Sequence, residues 1–376
     1  MIEVKGQYIF SASVDGFPDF LTVRDLVYFR VEETCGNVPA SFIFQFFTRE
    51  DEIVTKLNDA YPIQIQFGES LEDYEGIELY ASNFKHRPES DRILISLEGF
   101  CIEPDFNIAS KIRSFKNMSG LSALREASNG LLNPKFNVQE SQDSQTWLQY
   151  NLADRQFFNQ VLSHSYSADS FFLSAIRANK DYIVKDAVLE SSLKSDQADW
   201  VFDNLAVSAN AIPYGGEYEV DVQTGILNNL VGYGREKILY EIESGNESFL
   251  NMLPKPVVAL TRDLAKKSSI DHKFTGPSFL NENVHDNYQK AYLNFLINNI
   301  LLGSITIELS FKSLFRDVAP LDWVMFKAPS KNVRGASNEY VSGFYIVSSS
   351  VKEIRDSELR TSVRLNRESF NLIRNA

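Results

Sequence analysis

The chain has 376 residues, 44% hydrophobic and 23% charged, with a net charge of −13. That length allows two or three domains of about 100–200 residues, and the composition excludes a disordered chain. The acidity excludes a general nucleic-acid binder, because phosphate contacts need a surplus of Lys and Arg.

Against 4 His and 2 Cys stand 28 Phe and 16 Tyr, residues that favour strands and interfaces, so the expectation is a β-rich, assembling protein. Charge is uneven along the chain: residues 1–80 hold 15 Asp+Glu and 5 Lys+Arg, whereas residues 351–376 hold 4 and 6. An acidic first fifth is either a solvated face or the lining of something that must not hold DNA, since like charge repels phosphate over a Debye length of about 8 Å. Cys35 and Cys101 are too few and too far apart for a disulfide framework or a structural zinc site. The start "MIEVKGQYIF" has no basic region followed by an apolar run, and the most apolar stretch is "AYLNFLINNILLG" at 291–303, so no membrane insertion is expected and folding is placed in a cytoplasm.

Residues 1–105 read as a first antiparallel β-barrel or sandwich: "QYIFSASV", "LVYFRVEE", "SFIFQFF", "PIQIQF", "GIELYASNF" and "RILISLEGF" mostly alternate apolar and polar side chains between turn residues. From 106 to 205 the pattern is α/β. Ser119 caps a helix expected in 118–131, ended by "NP" at 133–134. A second helix is expected across 146–167, with Leu148, Leu152, Phe157, Phe158 and Val161 near one face, followed by a strand pair turning at Asn179-Lys180-Asp181. Residues 206–302 start the second barrel and continue the insertion, with the alternating "YEVDVQ" at 218–223, a strand or extended arm at 232–245 and the strongest helix pattern, a long helix at 283–303 stopped by Gly303. Residues 303–376 return to β-structure with "SITIELSF", whose Ile305, Ile307, Leu309 and Phe311 share one face.

The returning β-region copies the layout of the first. "SFIFQFF" (41–47), a charged connector, "PIQIQF" (62–67), an acidic loop and the hairpin 77–100 match "SITIELSF" (304–311), a connector, "PLDWVMF" (320–326), a polar loop and the hairpin 343–370. Two similar antiparallel β-barrel domains separated by an α/β insertion follow, and a trimer of such a chain presents six similar β-domains in a ring.

No constellation for catalysis stands out. His86, His164, His272 and His285 have no metal-ligand spacing, the serines in 68–71 and 244–246 lack a nucleophile elbow, and the glycines at 214–221 and 231–236 form no phosphate cradle. Glu98 and Glu103 read as strand-face charge. Glu217, Glu219 and Asp221 share one strand face, which is either solvated or able to hold a divalent cation; no cofactor is expected. In the closing strand Arg360 and Arg364 fall on the polar face with Ser362 and Asn366, and Arg367 falls with Thr361, Val363 and Leu365. Without interleaved aromatics this row is no stacking platform for nucleic acid. The expectation is an interface role for Arg360, Arg364 and Arg367, facing acidic neighbours within or between subunits.

Three segments carry a family resemblance: "ISLEGFCIEPDFNIASKIRSFKNMSGLSALREASN" (95–129), "TWLQYNLADRQFFNQVLSHSYSADSFFLSAIRANKDYIVKDAV" (146–188), and 280–329 followed by the hairpin 343–370. Their order resembles the baseplate hub proteins of contractile-tailed phages and the hub portion of type VI secretion spike proteins. The resemblance implies a non-enzymatic homotrimer whose two barrels per chain make a pseudo-sixfold ring in the virion tail baseplate, assembled in the host cytoplasm. Such a ring joins a threefold central spike or needle protein to the sixfold tail tube or its initiator. It also meets baseplate wedge proteins and passes the tape-measure protein and DNA, without reading nucleic-acid sequence. The secretion chains' C-terminal extension is missing, so the spike is expected as a separate polypeptide. The alternatives are a tail-associated carbohydrate-active or cell-wall-degrading enzyme and a receptor-binding tail protein.

Overall fold

The computed structural model describes residues 9–367 outside 16, 18–20, 22–23, 59–60, 69–73, 168–169, 194–196, 206–207, 216, 223–232, 235, 242–246, 252–272, 281–283, 313–316, 330–337, 339–340 and 356–357. Parts of the acidic loop, the second connector and the closing turn expected from the repeat fall in 69–73, 313–316 and 356–357 and lie outside the described residues.

The first β-unit comprises β1 (Ile9–Ser13), β2 (Leu26–Thr34), β3 (Ser41–Thr48), the short helix α1 (Asp51–Asn58), β4 (Ile63–Gly68), β5 (Tyr74–Glu89) and β6 (Arg92–Phe100). Alternation decides which side chains go inside: Phe42, Phe44 and Phe46 of β3 are buried, and the residues between them are not. Phe29 packs edge-on against Phe10, Phe44 and Phe67 with ring centroids 5.1, 5.8 and 5.0 Å apart. Each such pair adds about 0.5–1.5 kcal/mol beyond its buried area. The charged connector after β3 is helical, with Ile53 and Leu57 turned into this core.

The insertion contains α2 (Asp105–Ile108), β7 (Lys111–Met118), α3 (Gly120–Ser128), β8 (Asn133–Asn137), β9 (Gln145–Leu152), α4 (Asp154–His164), β10 (Phe172–Ile176), β11 (Asp181–Asp186) and α5 (Ala187–Leu193). The capped helix forms as expected, the Ser119 hydroxyl accepting from the Ser122 amide at 3.2 Å. The helix expected across 146–167 is instead a strand and a helix. Gln145, Trp147 and Gln149 are buried while Thr146, Leu148 and Tyr150 are exposed, a period of two that pairs β9 with β7. Leu148 and Leu152 therefore do not share the core face of Phe157, Phe158 and Val161. The strand pair forms with Lys180 at φ 67° in its turn, and β8 adds to it in parallel.

Then follow β12 (Trp200–Phe202), β13 (Ala211–Ile212), β14 (Tyr218–Val222), the small sheet of β15 (Tyr233–Gly234), β16 (Glu236–Glu241), β17 (Glu247–Asn251) and β18 (Lys273–Leu280), and the expected long helix α6 (Tyr288–Leu302). The second β-unit closes with β19 (Ile305–Phe311), β20 (Trp323–Phe326), β21 (Gly343–Arg355) and β22 (Glu358–Arg367).

The two β-units repeat strand for strand. Order β4-β5-β6-β3-β2 in the first matches β20-β21-β22-β19-β14 in the second, every neighbouring pair antiparallel. Both hairpins carry a bulge at the same distance from the turn, at Ser82 and Ser348, and each bulge hydroxyl donates at 3.1 Å to the facing carbonyl, that of Glu98 or Arg364. Arg364 thus occupies the position of Glu98. The units differ beyond β4 and β20: β1 joins antiparallel and β12 parallel.

Two separate closed barrels are not what forms. Among the described residues neither unit closes on itself; β2 pairs with β21, fusing both into one open 13-stranded sheet with a core in each half. The cause is β21, whose first half pairs β20 and whose second half, 349–355, is left for β2.

Candidate functional site

Residues of β2, β21, β22, β19 and β14 line a groove of about 850 Å³. Alternation supplies its lining: Arg30 and Glu32 from β2, Glu353 from β21, Arg364 from β22, Glu308 from β19, and Glu219 from β14 beside Glu217. Five carboxylates face two guanidiniums. Arg30 binds Glu32 at 2.8 Å, and Arg364 donates through Nε at 2.8 Å and a second nitrogen to one Glu308 oxygen. Glu217 and Glu219 have no ion-pair partner among the described residues, so the β14 side of the groove is negative.

The three arginines of β22 divide between its faces. Arg360 is exposed and binds Glu358 at 2.7 Å; Arg364 is exposed beside Glu308. Arg367 is 1% exposed, its guanidinium 4.9 Å from the Tyr345 ring centroid. Burial pushes the Tyr345 hydroxyl up to about 12, with Arg367 pulling against it, and that hydroxyl donates to the Val341 carbonyl at 2.6 Å. The structure therefore brings Arg360 and Arg364 to one surface and sends Arg367 into the second core.

Behind the β2–β21 joint lies a charged network that sequence reasoning missed. Glu33, Glu75, Arg177, Asp317 and Lys352 come from both β-units and the insertion. Lys352, 4% exposed, reaches Glu75 at 2.5 Å and Asp317 at 2.8 Å; Arg177 reaches Asp317 at 2.6 Å and Glu33 at 3.4 Å; Glu33 also accepts the Ala178 amide at 2.8 Å. Its members run from Glu33 to Lys352, more than 300 positions of sequence, and follow no short spacing, so no local signal marks them. A second network centres on Asp154, fully buried at the start of α4, which accepts from Lys111 at 2.5 Å, from Gln149 at 3.1 Å and from Arg113. On the far side of the β7–β9 ribbon Ile112, Leu148 and Tyr150 are exposed; the alternation of 145–150 is the signal that would have found Leu148 and Tyr150.

The remaining reactive side chains have structural partners. Burial pushes the Cys35 thiol up to about 12 and raises that of Cys101 as well, which suppresses the reactive thiolate. The His164 ring stacks 3.9 Å from Tyr288 and 4.9 Å from Tyr292, and His285 Nε2 lies 3.1 Å from the His164 carbonyl. His86 is exposed beside Phe84. His272 and the serines at 70 and 244 lie outside the described residues. Among the described residues no three His, Cys, Asp or Glu converge as metal ligands, Glu217, Glu219 and Asp221 included, and no helix is long and apolar enough to cross a membrane.

No family model and no curated protein matches the sequence. Solved structures do match its fold. A tail protein from Neisseria meningitidis superposes with a TM-score of 0.59 at 9% identity, over 96% of this chain and 97% of the other. The 43 kDa tail protein of prophage MuSo2 from Shewanella oneidensis gives 0.57 at 9% identity, over 97% of each chain. An Escherichia coli component of the type VI secretion system, itself similar in structure to bacteriophage tail proteins, gives 0.50 at 10% identity, over 96% of this chain and 77% of its own. The chain has the fold shared by these tail and secretion proteins.

Proposed function

We propose that this protein is a structural hub of a phage tail baseplate: a homotrimer whose six β-units form a pseudo-sixfold adaptor ring. The observation that carries the reading is the strand-for-strand repeat, down to the matched bulge serines Ser82 and Ser348, with the units joined edge to edge through β2 and β21. Such a joint is heterologous, and repeating it around an axis makes a closed ring when the rotation closes. Three chains of two units give sixfold contacts toward a tail tube or its initiator and threefold contacts toward a central spike. The full-length fold likeness to tail proteins supports a place in the virion tail; assembly in the host cytoplasm and flanking wedge proteins belong to the same proposal.

The role is non-enzymatic. An acid-rich surface repels phosphate, which suits a channel that passes DNA and the tape-measure protein without holding them. Arg360 and Arg364, exposed on β22, are the two arginines able to meet a neighbouring subunit; Arg367 acts within its own chain.

Light scattering tests the reading, with a mass of three chains expected and no cleavage of glycan or peptidoglycan. Images down the axis of the purified particle should show threefold symmetry with six similar lobes. A monomer that degrades cell walls overturns it.

A further inference from the structure

Among the described residues, β14 and the second half of β5 leave sheet edges open, and the internal repeat says what fills them. In the joint already made, β2 lies antiparallel to 349–355 of β21, with Arg30 opposite Glu353, Glu32 opposite Val351 and Glu33 opposite Ser350. The repeat converts each residue of this joint into a counterpart. Through the shared ladders, Arg30 corresponds to Glu219, Val31 to Val220, Glu32 to Asp221 and Glu33 to Val222. The matched hairpins convert Glu353 to Arg87, Lys352 to His86, Val351 to Lys85 and Ser350 to Phe84. Among the described residues β14 pairs only with β19, and residues 83–89 of β5 pair only with β6.

We propose that β14 of one chain adds to residues 84–88 of β5 in the next copy of the chain, in the register of the β2–β21 joint: Glu219 opposite Arg87, Val220 opposite His86, Asp221 opposite Lys85 and Val222 opposite Phe84. This rests on the ring reading and deepens it, naming the edges and the register that join one chain to the next.

The chemistry of the two edges agrees with the placement. Arg87, His86 and Lys85 are exposed, as are Glu219 and Asp221, so each edge carries charge that discourages casual strand pairing while being opposite in sign to its proposed partner. The Arg30–Glu353 pair of the internal joint returns with its charges exchanged, as Glu219 and Arg87. Val222, 39% exposed, is covered by Phe84, which already packs against the first core. At the ladder's end Glu89 faces Glu217, and there Arg87 already binds Glu89. Pro88 has no amide hydrogen and stops the ladder, a place where edge strands accept proline. Each unit then has one giving edge and one receiving edge, so the contact runs head to tail as the internal one does.

The test uses the full chain. Residues directly opposite across an antiparallel pair lie about 4.5–5.5 Å apart at Cβ, and disulfides span Cα separations of about 4.4–6.8 Å. Lys85→Cys with Asp221→Cys, oxidised with copper phenanthroline, should yield chains linked through interchain disulfides up to three, whereas Lys85→Cys with Val220→Cys, whose side chains point to opposite faces, should not. Independently, Arg87→Glu or Glu219→Arg should raise the concentration needed for half-assembly roughly tenfold or more, and combining them should restore it. Thermal unfolding within a degree or so of the native chain's shows that these surface variants fold. A native mass of three chains with no linkage above the control overturns the pairing and leaves the ring. A native mass of one chain at every concentration overturns both.

Discussion

Arg177 donates from its two terminal guanidinium nitrogens to both carboxylate oxygens of Asp317, at 2.8 and 2.6 Å, and so ties the insertion to the second β-unit. The same guanidinium reaches Glu33 of β2, whose side chain is 3% exposed. Replacing Arg177 with Met keeps the packing volume but takes from the buried Glu33 its guanidinium partner, leaving the charge of Lys352 to act on it. Removing one partner of a buried ion pair costs about 3–5 kcal/mol. Denaturant unfolding of Arg177→Met should show a loss of that size, and Glu33→Gln in the same background should recover part of it.

Asp317 also gives this joint an acid limit. Asp317 is half exposed, and its partial burial opposes ionisation, but hydrogen bonding from Arg177 and the charge of Lys352 outweigh that and hold the carboxyl below the usual carboxylate range. A group whose pKa is depressed by folding stabilises the native state fully above its unfolded pKa, about 3.9 for Asp. That contribution fades as pH falls through 3.9 toward the lower folded value. Asp317→Asn should therefore lower stability at pH 7 and flatten the stability profile below about pH 4. Unfolding midpoints measured from pH 7 to pH 2.5 check this.

Gly99 stands where the Ser82 bulge brings two strands close. A Cβ added there would lie 2.0 Å from the Tyr80 carbonyl oxygen and 2.9 Å from a Phe42 ring carbon. The first of these is backbone and cannot swing away. Gly99→Ala should therefore displace the β5–β6 pairing and destabilise the first unit by about 1–3 kcal/mol, the range for overpacking. At the matching position of the second unit Leu365 is fully buried, so Leu365→Ala should destabilise by the opposite route, a cavity, at about 2–5 kcal/mol. Paired chemical denaturation curves distinguish the two.

How much of this was legible in the sequence depends on distance along the chain. The β-strands of both units were, because Phe42, Phe44 and Phe46, and Ile305, Ile307 and Leu309, alternate over a local window. The repeat was legible because it preserves strand order, although side chains such as Glu98 and Arg364 do not match. The helical reading of 146–167 failed because Leu148 and Leu152 satisfy helical spacing by accident, while the buried set is Gln145, Trp147 and Gln149, two of them polar. Closed barrels failed for another reason: the sequence shows which strands exist, whereas the partner of residues 349–355 is β2, more than 300 positions away. The Glu33–Arg177–Asp317–Lys352 network is equally non-local. The split of the β22 arginines was legible from period two, yet the burial of Arg367 against Tyr345 was not, since an arginine on a core face is uncommon.

Arg367 should behave as a core residue and not as a surface charge. Its guanidinium lies over Tyr345 and donates to the Ser342 carbonyl at 3.5 Å, while its stem packs inside the second unit. Arg367→Ala should cost about 1–3 kcal/mol through lost packing and an exposed tyrosine hydroxyl environment. Arg360→Ala, on the solvent side of the same strand, should cost under about 1 kcal/mol. Urea midpoints of the two variants give the comparison.

Arg364 separates stability from assembly. Its pair with Glu308 is half exposed on both sides, 55% and 49%, so the pair contributes about 0–1 kcal/mol to the folded chain. Arg364→Glu should hardly move the unfolding midpoint of an isolated chain. It does place a sixth carboxylate in a groove already lined by Glu32, Glu217, Glu219, Glu308 and Glu353. A neighbouring subunit that presents an acidic group there then meets like charge, and light scattering should show the mass falling from three chains toward one. Adding Glu308→Arg rebuilds the pair inside the chain with its polarity exchanged. If Arg364 faces a neighbour, the double variant stays dissociated. If it serves only Glu308, assembly is unchanged in both variants, and that outcome removes Arg364 from the interface.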